Sequence, residues 1–180
     1  MARFFPFGQL SFGIAHGSTI LCSFRDWLQD EDFLKRIVYT SGETRIDDEL
    51  TIYESAGRKK ILDMGSAGLT VKTESGFVPE DFKHEHYLMI KENNKQVLIS
   101  GCSHQGIINI MNWFTPDVLV GGFHFMKHKL DGTLKEYATE LEKFDTDYYT
   151  CHCTGVEQFQ YMKQFMSRLN YLAAGDEIKI

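Results

Sequence analysis

Three stretches of the sequence share one form, in which an apolar run is followed by a histidine and then by a segment with helical character. They are residues 97–104, 118–124 and 148–155, and their histidines are His104, His124 and His152. In α/β proteins, ligands bind beyond the carboxyl ends of the strands, where the strand-to-helix loops gather. Neutral imidazoles at one edge of a sheet can hold a transition metal. The pattern therefore predicts a shared site with His104 and His152 as metal ligands.

The other histidines receive weaker interpretations. His124 could be a ligand, a substrate contact or a proton donor to the reacting group. Residues 84–86 read His-Glu-His, and on a strand these two imidazoles would share a face, which suits a metal. Since no Asp-His pair follows, we favour a supporting role for His84 or Glu85 outside the ligand set. His16 and His128 are interpreted as ordinary surface or hydrogen-bonded residues.

The sequence contains four cysteines, at positions 22, 102, 151 and 153. No signal segment is recognisable, so we expect reduced thiols and a cytoplasmic protein. Cys151 and Cys153 alternate along a predicted strand, which would place both on one side and His152 on the other. A metal site using all three would require a bent strand, so we interpret both cysteines as small buried hydrophobic residues. A thiol nucleophile at Cys102 is disfavoured, because adjacent residues such as His104 rarely align for proton transfer.

The second half of the chain predicts the elements that must position these side chains. Their order is a hairpin over residues 87–100, a helix over 106–114, a strand over 117–120, a helix over 133–144, a strand over 147–153, a helix over 156–169 and a strand over 177–180. Thr133 and Glu136 form a predicted capping box. Gly121 and Gly122 lack the phosphate-binding fingerprint, and we interpret them as allowing close backbone approach at a strand end.

The first sixty residues give a weaker pattern, with a predicted short helix over residues 26–37 and short strands over 37–40 and 50–53. The alternation of strands and helices farther along predicts an α/β layered fold with right-handed crossovers. A length of 180 residues suffices for one domain, which we place at 1–180, with a complete core.

Composition narrows the possible functions. The formal net charge of -6 and the absence of a Lys/Arg cluster argue against nucleic-acid binding. No apolar stretch approaches the roughly 20 residues that a membrane helix needs, so we expect no membrane partner.

Taken together, several segments resemble the metallo-β-lactamase superfamily, and they are closest to its metal-dependent hydrolase branch. The resemblance covers residues 82–180, and its segments are 84–85, 98–110, 120–124, 150–155 and 171–178. It implies a partial αββα sandwich, mainly the C-terminal half of that fold. It also implies that His104 is the ligand after the central hairpin and that His152 is the last ligand. His124 lies where many members place a bridging aspartate, so one ion is favoured over two.

The superfamily's first metal motif, His-x-His-x-Asp-His, does not occur in these 180 residues. We therefore expect a truncated domain with an incomplete metal site. The resemblance implies hydrolysis of a small ester or phosphoester, with zinc or another divalent transition metal such as manganese or iron. His124 would be catalytic, and His84, Glu85, Ser103 and Thr154 would lie beside the ligands or the substrate.

Three functional hypotheses stay open. The chain could be a hydrolase portion that needs a complementing N-terminal fragment, a non-catalytic remnant or binding module that retains the fold, or a self-sufficient one-metal hydrolase. The expected partners are a small-molecule substrate and either that fragment or a second copy of the chain. Half a sandwich would expose apolar sheet surface, which favours a homodimer.

Overall fold

The computed structural model describes Lys35, Val38 and residues 40–66 and 68–179. The helix predicted over residues 26–37 and the strand predicted over 37–40 lie, apart from single positions, outside the described residues, as do His16 and Cys22. The strands are β1 (Glu43–Arg45), β2 (Leu50–Glu54), β3 (Thr70–Thr73), β4 (Gly76–Pro79), β5 (His86–Glu92), β6 (Lys95–Ser100), β7 (Val118–Gly121), β8 (Asp147–Thr150) and β9 (Leu169–Tyr171). The helices are α1 (Ile107–Phe114), α2 (Gly132–Glu142) and α3 (Val156–Met162), with a short 3₁₀ helix at His152–Thr154.

Seven strands form one sheet in the order β1-β2-β5-β6-β7-β8-β9, and β3 pairs with β4 in a separate two-stranded sheet. The pairs from β1 to β6 are antiparallel, whereas β6, β7, β8 and β9 are parallel. The predicted hairpin is confirmed as β5 and β6. Its turn residues Asn93 and Asn94 have φ values of 51° and 61°, which asparagine tolerates and which suit the twist of a two-residue hairpin.

The helices connect the parallel strands and pack on the sheet through one apolar core. Alternate sheet residues point into this core, as expected for period-two side chains: Tyr87, Met89, Leu98, Leu119, Tyr148 and Leu169. The helices contribute Ile107, Ile110, Met111, Leu134, Ala138, Leu141 and Met162. Burying each of the large side chains contributes roughly 1.5–3 kcal/mol. The α/β class predicted from the sequence is thus confirmed, with a large sheet flanked by helices.

The C-terminal strand differs from the prediction. The helix expected over residues 156–169 ends at Met162, and Leu169 begins β9, which runs parallel to β8. Leu169 is fully buried, so its apolar character reflects a core strand rather than a helix face. Residues 177–179 form no strand; Ile178 instead lines a cavity of about 300 Å³ beside Ile90 and Leu172.

The start of α2 also differs from the prediction. The Asp131 carboxylate accepts hydrogen bonds from the backbone N–H groups of Thr133 (3.0 Å) and Leu134 (3.5 Å). The predicted capping box of Thr133 and Glu136 is therefore wrong, because aspartate is among the best N-cap residues and already occupies that position. None of the helices in the described part of the chain has the length and apolar character needed to cross a bilayer.

Candidate metal centre

The three parallel strands β6, β7 and β8 end at the same edge of the sheet, at Ser100, Gly121 and Thr150. The loop after each strand carries one of the predicted histidines. His104 follows β6, His124 follows β7 and His152 follows β8. Adjacent parallel strands thus bring three segments that are far apart in sequence to one place.

The end of β7 allows these loops to approach closely because it carries no side chain. A Cβ atom at Gly121 would lie 2.3 Å from the Ser100 carbonyl oxygen. A Cβ atom at Gly122 would lie 2.5 Å from Cys153 Sγ. The Gly122 N–H also donates to the Gly101 carbonyl at 2.8 Å, which extends the pairing beyond the strands. The interpretation of these two glycines as a point of close approach is confirmed.

The chain turns sharply after β8. The strand predicted over residues 147–153 ends at Thr150, and His152 has a left-handed backbone with a φ of 47°. The expectation that His152 faces away from Cys153 is therefore wrong, because both lie in a 3₁₀ turn rather than on an alternating strand. Thr154 fixes this turn: its hydroxyl accepts the Phe123 N–H at 2.8 Å and hydrogen-bonds the Thr150 hydroxyl.

This turn assembles a group of potential metal ligands from Cys102, His152 and Cys153. Their ligand atoms all lie within 4.8 Å of one another. Cys102 Sγ lies 3.7 Å from His152 Nδ1, and Cys153 Sγ lies 3.7 Å from the Cys102 carbonyl oxygen. Within the described ranges, no other set of three such side chains meets the same geometry, and His104 is not a member of this one.

The electrostatics of the group favour one deprotonated sulfur. A hydrogen bond with Cys102 holds the pKa of the Cys153 thiol below its usual range against burial, and His124 and His152 add to this effect. The same hydrogen bond and burial raise the pKa of Cys102. Cys151 lies outside the group, and burial raises the pKa of its thiol. A thiolate is the form of cysteine that binds metals.

His104 and His124 lie side by side next to this group. Their ring centroids are 4.6 Å apart, and Phe82 stacks on the other side of His104 at 4.5 Å. Burial, followed by the effect of His124, lowers the pKa of His104 to about 4, so its ring is neutral near pH 7. The Nδ1 atom of His124 is buried and has no hydrogen-bond partner among the described residues. Neutral imidazole and an unsatisfied buried nitrogen both fit a bound ion or ligand.

Glu85 supports the loop that carries His104. Its carboxylate accepts the backbone N–H groups of His104 (2.7 Å) and Gln105 (3.0 Å) and the Tyr87 hydroxyl (2.7 Å). His104 Nδ1 lies 3.7 Å from Glu85 Oε1. His84, by contrast, is partly exposed and lies near Glu80 instead.

Ser103 holds the same loop from the other side. Its backbone is left-handed with a φ of 55°, and its hydroxyl hydrogen-bonds the Ser100 hydroxyl at 2.7 Å. The side chain is buried, so this hydrogen bond ties the His104 loop to the end of β6.

A cleft of about 360 Å³ opens beside the two histidines. Its lining includes His104 and His124 together with Lys127, His128, Lys129 and Asp131. Burial lowers the pKa of His128, so the positive charge near neutral pH comes from the two lysines. The Asp131 carboxylate is engaged in capping α2. Two lysines against one carboxylate give the lining an excess of positive charge, which suits a small anionic ligand.

Sequence reasoning identified the three strand-end histidines but missed Cys102 and Cys153 as members of the group. The sequence does indicate these two cysteines as possible ligands, because each lies within two residues of a strand-end histidine, in Cys-Ser-His and His-Cys. The prediction that β8 continues through position 153 argues against Cys153 as a ligand, and Cys102 is considered only as a nucleophile.

Comparison with known proteins supports the fold. No family model matches the chain, and no curated protein matches it. One solved structure, that of Tm1679, named as a metal-dependent hydrolase of the beta-lactamase superfamily, has a TM-score of 0.67 and 22% identity over 83% of this chain. The chain covers 61% of the length of that structure. At this identity, the similarity shows a shared fold.

Proposed function

We propose that this chain is a metal-dependent hydrolase of the metallo-β-lactamase type that acts on a small ester or phosphoester. The observation that carries the proposal is the meeting of three strand-end histidine loops at one sheet edge, beside a cleft of about 360 Å³ with two lysines in its wall. The similarity to a solved structure of the beta-lactamase superfamily supports it. The proposed cofactor is one divalent transition-metal ion, zinc or otherwise manganese or iron.

Each side chain has a role in this proposal. His104 and His152 would hold the ion, which when bound supplies Lewis-acid and water-activating chemistry to hydrolysis. His124, whose ring packs against His104 at 4.6 Å, would bind a substrate oxygen or donate a proton to the leaving group. Lys127 and Lys129 would attract and orient a phosphoryl group as point charges. Glu85, Ser103 and Thr154 would keep the ligand-bearing loops in place.

A second candidate is a non-catalytic remnant that retains the fold and an ion. One observation favours it: the His-x-His-x-Asp-His motif is absent from the 180 residues, which would leave the ligand set incomplete. A complementing N-terminal fragment would supply the missing ligands in the first candidate. The cytoplasmic location expected from the sequence stays a prediction.

Metal analysis and hydrolysis assays separate these candidates. The purified protein would be loaded with zinc or manganese and assayed with p-nitrophenyl phosphate and p-nitrophenyl acetate, with and without a fragment that carries the motif. We expect His104→Ala and His152→Ala to lower the metal content. A protein that binds metal but hydrolyses neither ester under any condition would be the remnant, and one that binds no metal would contradict the hydrolase.

The lysines provide a test of the substrate class. Lys127→Gln and Lys129→Gln should each raise KM for the phosphoester about tenfold, equivalent to a loss of about 1.4 kcal/mol, and leave the neutral ester unaffected. Lys95→Gln is the matched control, because Lys95 lies at the opposite end of β6. Equal effects on both esters would argue against phosphoester specificity.

A further inference from the structure

We infer that the metal in this chain is held by Cys102, Cys153 and His152, as a sulfur-rich zinc site. The inference rests on the proposed function for the use of the metal, but its binding follows from the geometry of these three side chains. Two thiolates and one imidazole are the ligand set of a soft-ligand zinc site with one open position. Among the expected metals, sulfur ligands favour zinc over manganese, which prefers oxygen ligands.

The spacing of the ligand atoms fits one ion. Zn–S bonds of about 2.3 Å and Zn–N bonds of about 2.0–2.1 Å at tetrahedral angles place two ligand atoms roughly 3.5–3.8 Å apart. The 3.7 Å between Cys102 Sγ and His152 Nδ1 already matches this separation. All three ligand atoms lie within 4.8 Å of one another, so closing the set needs shifts of at most about 1 Å.

The local backbone favours this arrangement in two ways. His152 occupies a left-handed conformation that is unfavourable for a residue with a side chain and persists only where surrounding contacts enforce it. Gly122 provides the space for Cys153 Sγ, since a Cβ atom there would lie 2.5 Å from the sulfur. The left-handed backbone of His152 and the absent side chain at Gly122 thus allow the His152 ring and the Cys153 sulfur to lie close together.

One of the three ligands is exposed, so the site is open to solvent on that side. Cys102 and Cys153 are buried, whereas His152 is exposed. Next to Cys153 lies His124, whose Nδ1 atom is buried without a hydrogen-bond partner in the described part of the chain. Three protein ligands leave the fourth position of a tetrahedral zinc site to a water or a substrate atom. This ligand set shares His152 with the proposed function and differs from it in replacing His104 by two sulfur atoms.

Cobalt substitution tests the sulfur ligands without an activity assay. Co²⁺ would be titrated into the reduced, metal-free 180-residue protein, and the sulfur-to-cobalt charge-transfer band would be recorded in the near ultraviolet. We expect the band in the wild-type protein and in Cys151→Ser, the matched control, because Cys151 lies outside the group. It should fall to background in Cys102→Ser and Cys153→Ser. A band that survives both of these changes, or no band in the wild type, overturns the inference.

Two glycine variants extend the test, because they change the space around the site and keep all three ligand side chains. Gly122→Ala crowds Cys153 Sγ and should weaken cobalt binding about tenfold or more, in the range found for changes that disturb ligand support. Gly101→Ala should bind cobalt as the wild type does, because its Cβ would meet no atom within 4 Å. Circular dichroism of each variant checks the fold. Equal affinities in the two alanine variants would count against the site.

The outcomes for His104→Ala separate this inference from the proposed function. If the variant keeps the charge-transfer band, Cys102, Cys153 and His152 hold the ion without His104. If the wild type binds cobalt without the band and His104→Ala loses the metal, the histidine site stands and the sulfur site fails. If the sulfur band is present but neither ester is hydrolysed, the sulfur site stands and the hydrolase fails.

Discussion

At the scale of single residues, Glu85 shows how a buried carboxyl group can organise a site without touching a substrate. Burial raises the pKa of this carboxyl group, and hydrogen bonds from Gln105, Tyr87 and His104 oppose that shift. Those three donors would be left unsatisfied in the interior if the carboxylate were lost. The position of the His104 loop therefore depends on an acidic residue nineteen positions earlier in the sequence.

Two substitutions in this network should destabilise the protein to different degrees. We expect E85Q to lower the free energy of unfolding by about 1–3 kcal/mol, because an amide NH₂ group would face a backbone N–H donor. Y87F removes only one donor and should cost about 1 kcal/mol. Urea unfolding followed by circular dichroism measures both values. A smaller loss for E85Q than for Y87F would show that the carboxylate is not the centre of the network.

At the scale of elements, the ends of strands and helices decide where functional side chains lie. The end of β8 at Thr150 turns His152 and Cys153 towards the same group, and the Asp131 cap fixes where α2 begins beside the cleft. Asp131 and Lys129 both line that cleft, so the helix start and the binding surface are connected.

The cap of α2 gives a test at this scale. We expect Asp131→Ala to lower the free energy of unfolding by about 1 kcal/mol, because the backbone N–H groups of Thr133 and Leu134 lose their acceptor. Thr133→Ala should have less effect, because its side chain does not cap the helix. Thermal unfolding of the two variants compares them directly. A larger loss for Thr133→Ala would restore the capping box that the sequence suggested.

At the scale of the whole molecule, the two faces of the large sheet differ. One face packs against the helices, and its central residues are buried. On the other face, Ile90, Ile99 and Val120 are only half-buried and line a cavity of about 300 Å³. Apolar surface of this kind favours association, and the sequence predicts either a second copy or a complementing fragment as its partner.

We expect the chain to self-associate through this face. Ile99→Gln and Val120→Gln should each shift the protein towards monomer, because they place an amide where apolar contact is needed. Val156→Gln is the control, since Val156 is 56% exposed on α3 and outside this face. Light scattering at increasing protein concentration measures the association. A wild-type protein that stays monomeric at high concentration would contradict the expectation.

The sequence determined the α/β class, the β5–β6 hairpin, helix α1 and the glycine approach at the end of β7, because each depends on local periodicity or turn chemistry. Asparagine at both hairpin positions and a Thr-Pro pair after α1 carry those signals within a few residues. At the end of α3, the local signal failed because the competing contact was non-local. Leu169 belongs to a strand because β8 lies beside it, although its spacing also fits a helix face.

The residues of the site also fall into two groups, those that the sequence predicts and those that only the structure brings together. The sequence alone placed His104, His124 and His152 at strand ends, since apolar runs followed by a histidine are visible in the chain. Only the tertiary structure could bring Cys102 within 3.7 Å of His152, fifty residues away, and turn His152 and Cys153 together. That outcome depends on parallel pairing of β6, β7 and β8 and on a sulfur atom packed over Gly122. Contacts of this range depend on which strands lie side by side, and local periodicity does not specify that order.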